Sequence, residues 1–199
     1  MRLYRVAWVS AEWPALSPDN PFHPLHMPID RQGAGRFDNP HRYAALYAAT
    51  SAQAAIGESL GNSAVWVEVA VTRPKEGHPH CLVTLDLADD QVLRDLDDPQ
   101  VLVELGLRAS DAVRRNRDHT QEIAQSLWLD MPRTGTRGLR WRSYWRPEWE
   151  VVVIWSDNLE PPWFPFLDVV GVEELTMEHP AVVLAADVLP RELRSGPRR

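Results

Sequence analysis

The sequence predicts one α+β domain, a mixed or antiparallel sheet with helices packed on it. Three observations lead there. Period-two alternation is clean in AVWVEVAV, where Val65, Val67, Val69 and Val71 share a face, and it recurs in CLVTLDL. The strand-like stretches are joined by short turns as often as by helical ones, which favours hairpins over a doubly wound parallel sheet. Finally, 199 residues with 44% hydrophobic and 25% charged content suit a single core, and no internal repeat divides them. The domain is expected to span residues 1–190, with 191–199 a disordered tail.

Residues 3–9 read as the first strand, with Arg5 inside it. Residues 10–40 are rich in Pro, Gly, Asp, Asn and His and carry no periodicity, so a long loop is expected, of the kind that often bears function. Residues 43–49 form a short strand. Thr50 or Ser51 then offers an N-cap for a helix running to about Leu60, stopped by Gly61 and Asn62. The alternation over 64–71 predicts a full strand, TRPKEGHPH a turn, and residues 81–87 the next strand. DPQVLVELGL reads as a short helix ending near Gly106, and Asp118 or Thr120 caps another through Ile123, Ala124 and Leu127. GLRWRS (138–143) and WEVVVIW (149–155) are strands about an aromatic turn, and DVVGVEEL and AVVLAADVL follow as strands or a short helix.

Composition narrows the function. A net charge of -7 argues against a protein that coats nucleic acid, because phosphate binding depends on clustered Lys and Arg. The lone Cys81 rules out an internal disulfide framework and suits a reducing compartment. No apolar run approaches the roughly 20 residues that span a bilayer. MRLYRVAWVSAEW reaches Glu12 before any long apolar stretch, so no secretory signal is expected and the cytoplasm is the expected location. Nine Trp give weight to an aromatic-lined pocket or interface.

Two constellations compete for attention. GTRGLRWRSYWRPEW sets Arg137, Arg140, Arg142 and Arg146 among Trp141, Tyr144, Trp145 and Trp149, a pattern that suits single-stranded nucleic acid. A strand-turn-strand with snorkelling Arg and buried Trp explains it more simply, and the only second basic stripe is Arg114, Arg115 and Arg117. His78, His80 and Cys81 in GHPHC lack a second ligand pair at zinc-like spacing, and His23, His26 and His41 are too spread, so no metal site is expected. Nor is there a Gly-rich phosphate loop, a dinucleotide-fold fingerprint or a nucleophile elbow.

The stretch GRFDNPHRYAALYAATSAQAAIGESLGN (35–62) is built of small residues with a few bulky polar exceptions. Glu58 falls in the last turn of the expected helix, where the macrodipole disfavours an anion, with Gly57 clearing space before it. Such a carboxylate is a candidate for stabilising a developing cation, although helix position alone favours a solvated surface Glu. Arg36, between Gly35 and Phe37, is suited to bidentate phosphate or carboxylate binding, or to an ordinary loop salt bridge. Tyr47 could stack a ring or pack with its hydroxyl at a rim.

Together these residues resemble the RES-domain family, named for an Arg, a Glu and a Ser. LYRV with Arg5, GAGRF with Arg36, LYAATSAQAAIGE with Tyr47 and Glu58, and GLRWRS with Ser143 match its motifs in order over residues 3–155. The Tyr-to-Glu segment is the most specific. Ala34 and Phe37 depart from the family's GGRW-like turn, and no Asn-rich ending follows Ser143. The resemblance implies an ADP-ribosyltransferase-like fold and a toxin, paired with an Xre-type antitoxin, that consumes NAD by hydrolysis, phosphorolysis or ADP-ribosylation of a protein. It implies Arg5 and Arg36 for the phosphates and ribose of NAD, Tyr47 for the nicotinamide ring, Glu58 for catalysis and Ser143 for the nicotinamide ribose, with Arg36 taken as the family's named Arg. No metal is implied, and nucleic acid is contacted only through the antitoxin. A catalytically weak binding module of the same fold is the competing expectation.

Overall fold

Strand β1 (Arg2–Trp8) lies near the middle of a seven-stranded sheet in the computed structural model, which describes residues 1–27, 29–108, 110 and 117–196, Arg31 by its backbone only. The other strands of this sheet are β2 (Ala44–Ala49), β4 (His80–Leu87), β5 (Val92–Asp95), β6 (Thr136–Arg142), β7 (Glu150–Ser156) and β8 (Leu167–Glu174). Their order is β5-β6-β7-β2-β1-β4-β8, and every pairing is antiparallel except β5 with β6. The chain is thus α+β with a mixed sheet. No helix among the described residues is long and apolar enough to cross a membrane.

One seam of the sheet is open. Strand β1 pairs β4 along its length, from Arg2↔Asp86 to Trp8↔His80, and β2 pairs β7 from Ala44↔Ser156 to Ala49↔Val151. Between β1 and β2 only Tyr4↔Ala49 is in register. The two strands meet at one end and splay at the other. Small side chains in β2 (Ala44, Ala45, Ala48 and Ala49) leave the gap unfilled. Where the strand partner is missing, Gln32 from the long loop takes its place, its Oε1 accepting from Ala45 N at 3.0 Å.

Alternation along β2 feeds a core on each side of the sheet. Ala45 and Ala49 join Ile56, Trp66, Trp155 and Val182 on the face covered by helices. Ala44, Leu46 and Ala48 join Leu3, Val83, Ile154 and Phe164 on the other, which the long loop and the 159–166 segment close. Helix α1 (Ala52–Leu60) starts at Ser51, whose Oγ accepts from Ala54 N at 3.3 Å. It packs on the C-terminal helix, and its Ala54, Ala55, Ile56 and Gly57 are buried. Gly57 is required by close approach: an added Cβ would lie 2.2 Å from Cζ3 of Trp149.

Several expectations are corrected. The alternating segment 64–71 is a strand only as β3 (Val65–Val67) and turns into helix α2 (Glu68–Thr72). The apolar positions serve both periods, for Val67 and Val71 are buried four residues apart while Val69 stands 60% exposed. Helices α3 (Pro99–Glu104), α4 (Arg117–Leu129) and α5 (Met131–Thr134) follow, and Asp118 and Thr120 lie inside α4 rather than capping it. The strand-or-helix alternatives left for the last segments resolve as strand β8 for DVVGVEEL and helix α6 (Pro180–Val188) for AVVLAADVL, with Leu189 as its C-cap. The start of the supposed disordered tail is ordered, forming β9 (Glu192–Arg194) parallel to β3, with Arg191 Nη2 donating to Gly61 O at 2.9 Å. The last three residues, 197–199, lie outside the described residues, as do Arg114 and Arg115 of the second basic stripe.

Candidate active site

The open seam between β1 and β2 forms a cavity of 520 Å³. Tyr4, Arg5 and Val6 supply one wall, and Ala45, Tyr47 and Ala48 the other. Trp141 and Val151 extend it across the sheet, and Glu58 and Ser59 of α1 stand at its edge. Phe37 meets the Trp141 ring edge to face, with centroids 4.8 Å apart, and fixes that aromatic wall.

Arg5 dominates the electrostatics. Its Nη1 is out of reach of solvent, and among the described residues it has no hydrogen-bond partner and no carboxylate pairs with the guanidinium. Burial pushes its pKa down to about 10, which leaves it a cation at neutral pH. A buried cation without a counterion is costly unless a ligand supplies one. Gln32 Nε2, also lining the cavity, is a second buried donor without a partner.

The loop before β2 is tied to the cavity by Asp38 and Tyr47. Asp38 is buried, and its Oδ2 accepts from Gly33 N at 2.9 Å and Gly35 N at 2.6 Å. Phe37 N donates to the Tyr47 hydroxyl at 2.8 Å, and Tyr43 donates to Phe37 O at 3.0 Å. Burial, and then the Asp38 charge, push the Tyr47 phenol well above its ordinary range, so it stays protonated. Gly35 admits no side chain, since a Cβ there would sit 2.5 Å from the Tyr47 hydroxyl. From α4, Gln121 Nε2 donates to the carbonyls of Gly33 and Gly35 and closes the loop from outside.

Glu58 and Ser143 meet although 85 residues separate them: the buried Ser143 Oγ donates to Glu58 Oε1 at 2.5 Å. Trp145 N donates to the same Oγ at 3.0 Å, and Ser143 N donates to Trp149 O. The hydroxyl is thereby fixed between a donor and the carboxylate. Glu58 itself stays exposed at the cavity edge.

Of the residues singled out in the sequence, Arg5, Tyr47 and Glu58 line the cavity and Ser143 reaches it through Glu58. Arg36 does not line it. It is half-buried in the turn between Gly35 and Phe37, so the arginine brought to the site is Arg5. Sequence reasoning missed Gln32 and Asp38, in a loop without periodicity, and Trp141, whose two-residue offset from the buried Leu139 marked an inward face. The basic-aromatic stretch is neutralised by carboxylates: Arg140 pairs Asp95, Arg142 pairs Asp97 and Arg146 pairs Glu148. His80 sets Nδ1 3.0 Å from Val71 O and stacks on Trp8.

A family model described as the RES domain matches residues 2–162. Among solved structures, a chain from the crystal structure of the M. tuberculosis MbcT–MbcA toxin–antitoxin complex superposes with a TM-score of 0.58. It is 21% identical, and the match covers 95% of this chain and 88% of that one, a likeness of fold. No curated protein matches the sequence.

Proposed function

This chain belongs to the RES-domain family, and on that premise we propose that it is the toxin of a toxin–antitoxin pair, an enzyme that breaks the nicotinamide–ribose bond of NAD. The observation that carries the reading is one cavity holding a partly buried arginine cation, whose Nη1 is out of reach of solvent and has no partner among the described residues, and, at its edge, a carboxylate fixed by a serine. Those are the two charges an anionic dinucleotide with a cationic nicotinamide ring calls for.

The chemistry follows from the substrate. The bond between C1′ of the ribose and the ring nitrogen breaks with its electron pair going to the nitrogen, and nicotinamide leaves neutral. No strong general acid is needed, so a single carboxylate suffices. Positive charge develops on the ribose as an oxocarbenium ion, and Glu58 stabilises it and accepts from the ribose hydroxyls. Ser143 holds that carboxylate in one orientation, so little reorganisation is left for the transition state. Arg5 takes the pyrophosphate, where a bidentate fork outweighs the protein's net negative charge. Trp141 and the protonated Tyr47 wall the ring. The new C1′–O bond comes from water, which gives up a proton, from phosphate, which adds as an oxyanion, or from a protein side chain. The three outcomes differ only in what reaches the open face of the ribose.

The partner in this reading is a cognate antitoxin of the family's Xre type, and the neighbour from M. tuberculosis is itself seen in a toxin–antitoxin complex. NAD is the substrate, and the cytoplasm the place of action. The test is nicotinamide released from NAD by the purified protein, with and without phosphate, beside Glu58→Gln. Release that disappears in the variant supports the reading, and phosphate dependence selects the acceptor. No release from folded, partner-free protein, even with lysate as a source of acceptors, overturns it in favour of a binding module.

A further inference from the structure

A second cavity, of 700 Å³, adjoins the first. Arg5, Val6 and Met27 line both, so the two chambers share one wall and the unpaired guanidinium stands at their junction. A dinucleotide has the same plan, two nucleoside arms joined by a pyrophosphate. With Glu58 in the first chamber and Arg5 at the junction, the second receives the other arm.

Trp8 and Trp163 give the second chamber an aromatic lining, and Trp8 is held in place: its Nε1 donates to Arg73 O at 2.6 Å, its ring stacks on His80, and Lys75 Nζ and the Arg73 guanidinium lie 5.3 and 5.7 Å from the ring centroid. The charges are lopsided. Asp19, Asp30 and Glu76 line the chamber against Lys75, and among the described residues none of the three carboxylates is in an ion pair. Burial, and then the neighbouring His26, lower the pKa of His23. Arg5 is already matched to the pyrophosphate.

We propose that this second chamber holds the adenosine arm of the dinucleotide, and that Asp19, Asp30 and Glu76 select NAD over NADP, whose 2′-phosphate would set further negative charge beside them. The inference rests on the NAD-consuming reading and adds a specificity to it. All three carboxylates are exposed at the rim, so their repulsion is partly screened and weakens with salt.

The experiment compares kcat/KM for NAD and NADP in the wild type and in Asp19→Asn/Asp30→Asn/Glu76→Gln, at low and high salt. At low salt NAD is expected to be preferred by at least about tenfold, the size that a few exposed like-charge contacts supply together. Salt or the triple substitution narrows the ratio. Equal turnover of both dinucleotides, or a ratio indifferent to salt and to the substitutions, overturns the proposal and leaves NAD consumption standing. If neither is cleaved, the catalytic reading fails and the chamber is tested alone. Titration with AMP and with adenosine 2′,5′-bisphosphate is then followed by the fluorescence of the protein's tryptophans. Preference for AMP, relaxed in the triple variant, supports the proposal, and equal or absent binding overturns it.

Discussion

Glu58 sits in the last turn of its helix, where unpaired carbonyls repel an anion, and Ser143 Oγ offsets that by donating to it. Charge and geometry are therefore separable at this one residue. Glu58→Gln keeps the size of the side chain and an oxygen for Ser143, and removes the charge. The expected outcome is a kcat for nicotinamide release lower by about a hundredfold to a thousandfold, the scale of losing one aimed electrostatic partner, with KM within a few fold. Ser143→Ala keeps the charge and frees the carboxylate to rotate. It is expected to lower kcat by about 10- to 100-fold, the range of a hydrogen bond to a charged group. Steady-state kinetics of the two variants measures both. Equal and large increases in KM would instead assign the pair to binding.

Among the elements, α1 and the β1–β2 seam decide where the site can be. Helix α1 reaches the seam because Gly57 lets it lie against Trp149, and Gly57→Ala must push one of them aside. The expected cost is about 1–3 kcal/mol of stability, as for other overpacked cores, read from the midpoint of denaturant unfolding. This contact also marks what the sequence could reveal. The Ser51 cap, the small residues of the helix and its end near Gly61 are local signals, and they were legible. Strands β2, β4, β6 and β7 were legible for the same reason, their alternation or apolar runs lying within a few residues. The gap between β1 and β2 was not, because pairing is a property of two distant segments and no residue of either records that its neighbour turns away. Gln32 and Asp38 were hidden likewise, since each acts on backbone groups that only the folded loop brings within reach. Arg36 stood out because a glycine precedes it, whereas Arg5 was marked by the family resemblance alone, since it looks like an ordinary strand residue and its lack of a counterion exists only in three dimensions. The short run 64–71 misled by a coincidence of periods, apolar residues at every second place being also four apart.

For the molecule as a whole, the proposed role of Arg5 would couple stability to a bound anion. Burial lowers its pKa from the ordinary arginine range to about 10 in the folded chain, so the native state releases this proton more readily than the unfolded one. The penalty for burying the cation is accordingly present in full below about pH 10, and it is relieved only as pH rises through that value. At neutral pH the free protein carries it, and a bound anion is what removes it. Replacing Arg5 with Met keeps an unbranched apolar stem as far as the position of Nε and removes the charge. The free variant is expected to be more stable than the wild type by about 1–2 kcal/mol, since uncompensated buried ions are commonly outdone by apolar residues of similar size. The same variant is expected to lose the rise in melting temperature that ADP-ribose gives the wild type, and to raise the KM for NAD by at least about tenfold, as the loss of one charge-assisted anion contact implies. Thermal denaturation with and without ADP-ribose checks the two halves together. A variant that is both less stable and still stabilised by ADP-ribose would make Arg5 a structural residue, and the unpaired guanidinium would need another explanation. The opposite result would mean that the fold keeps a destabilising charge between its two chambers because binding requires it there.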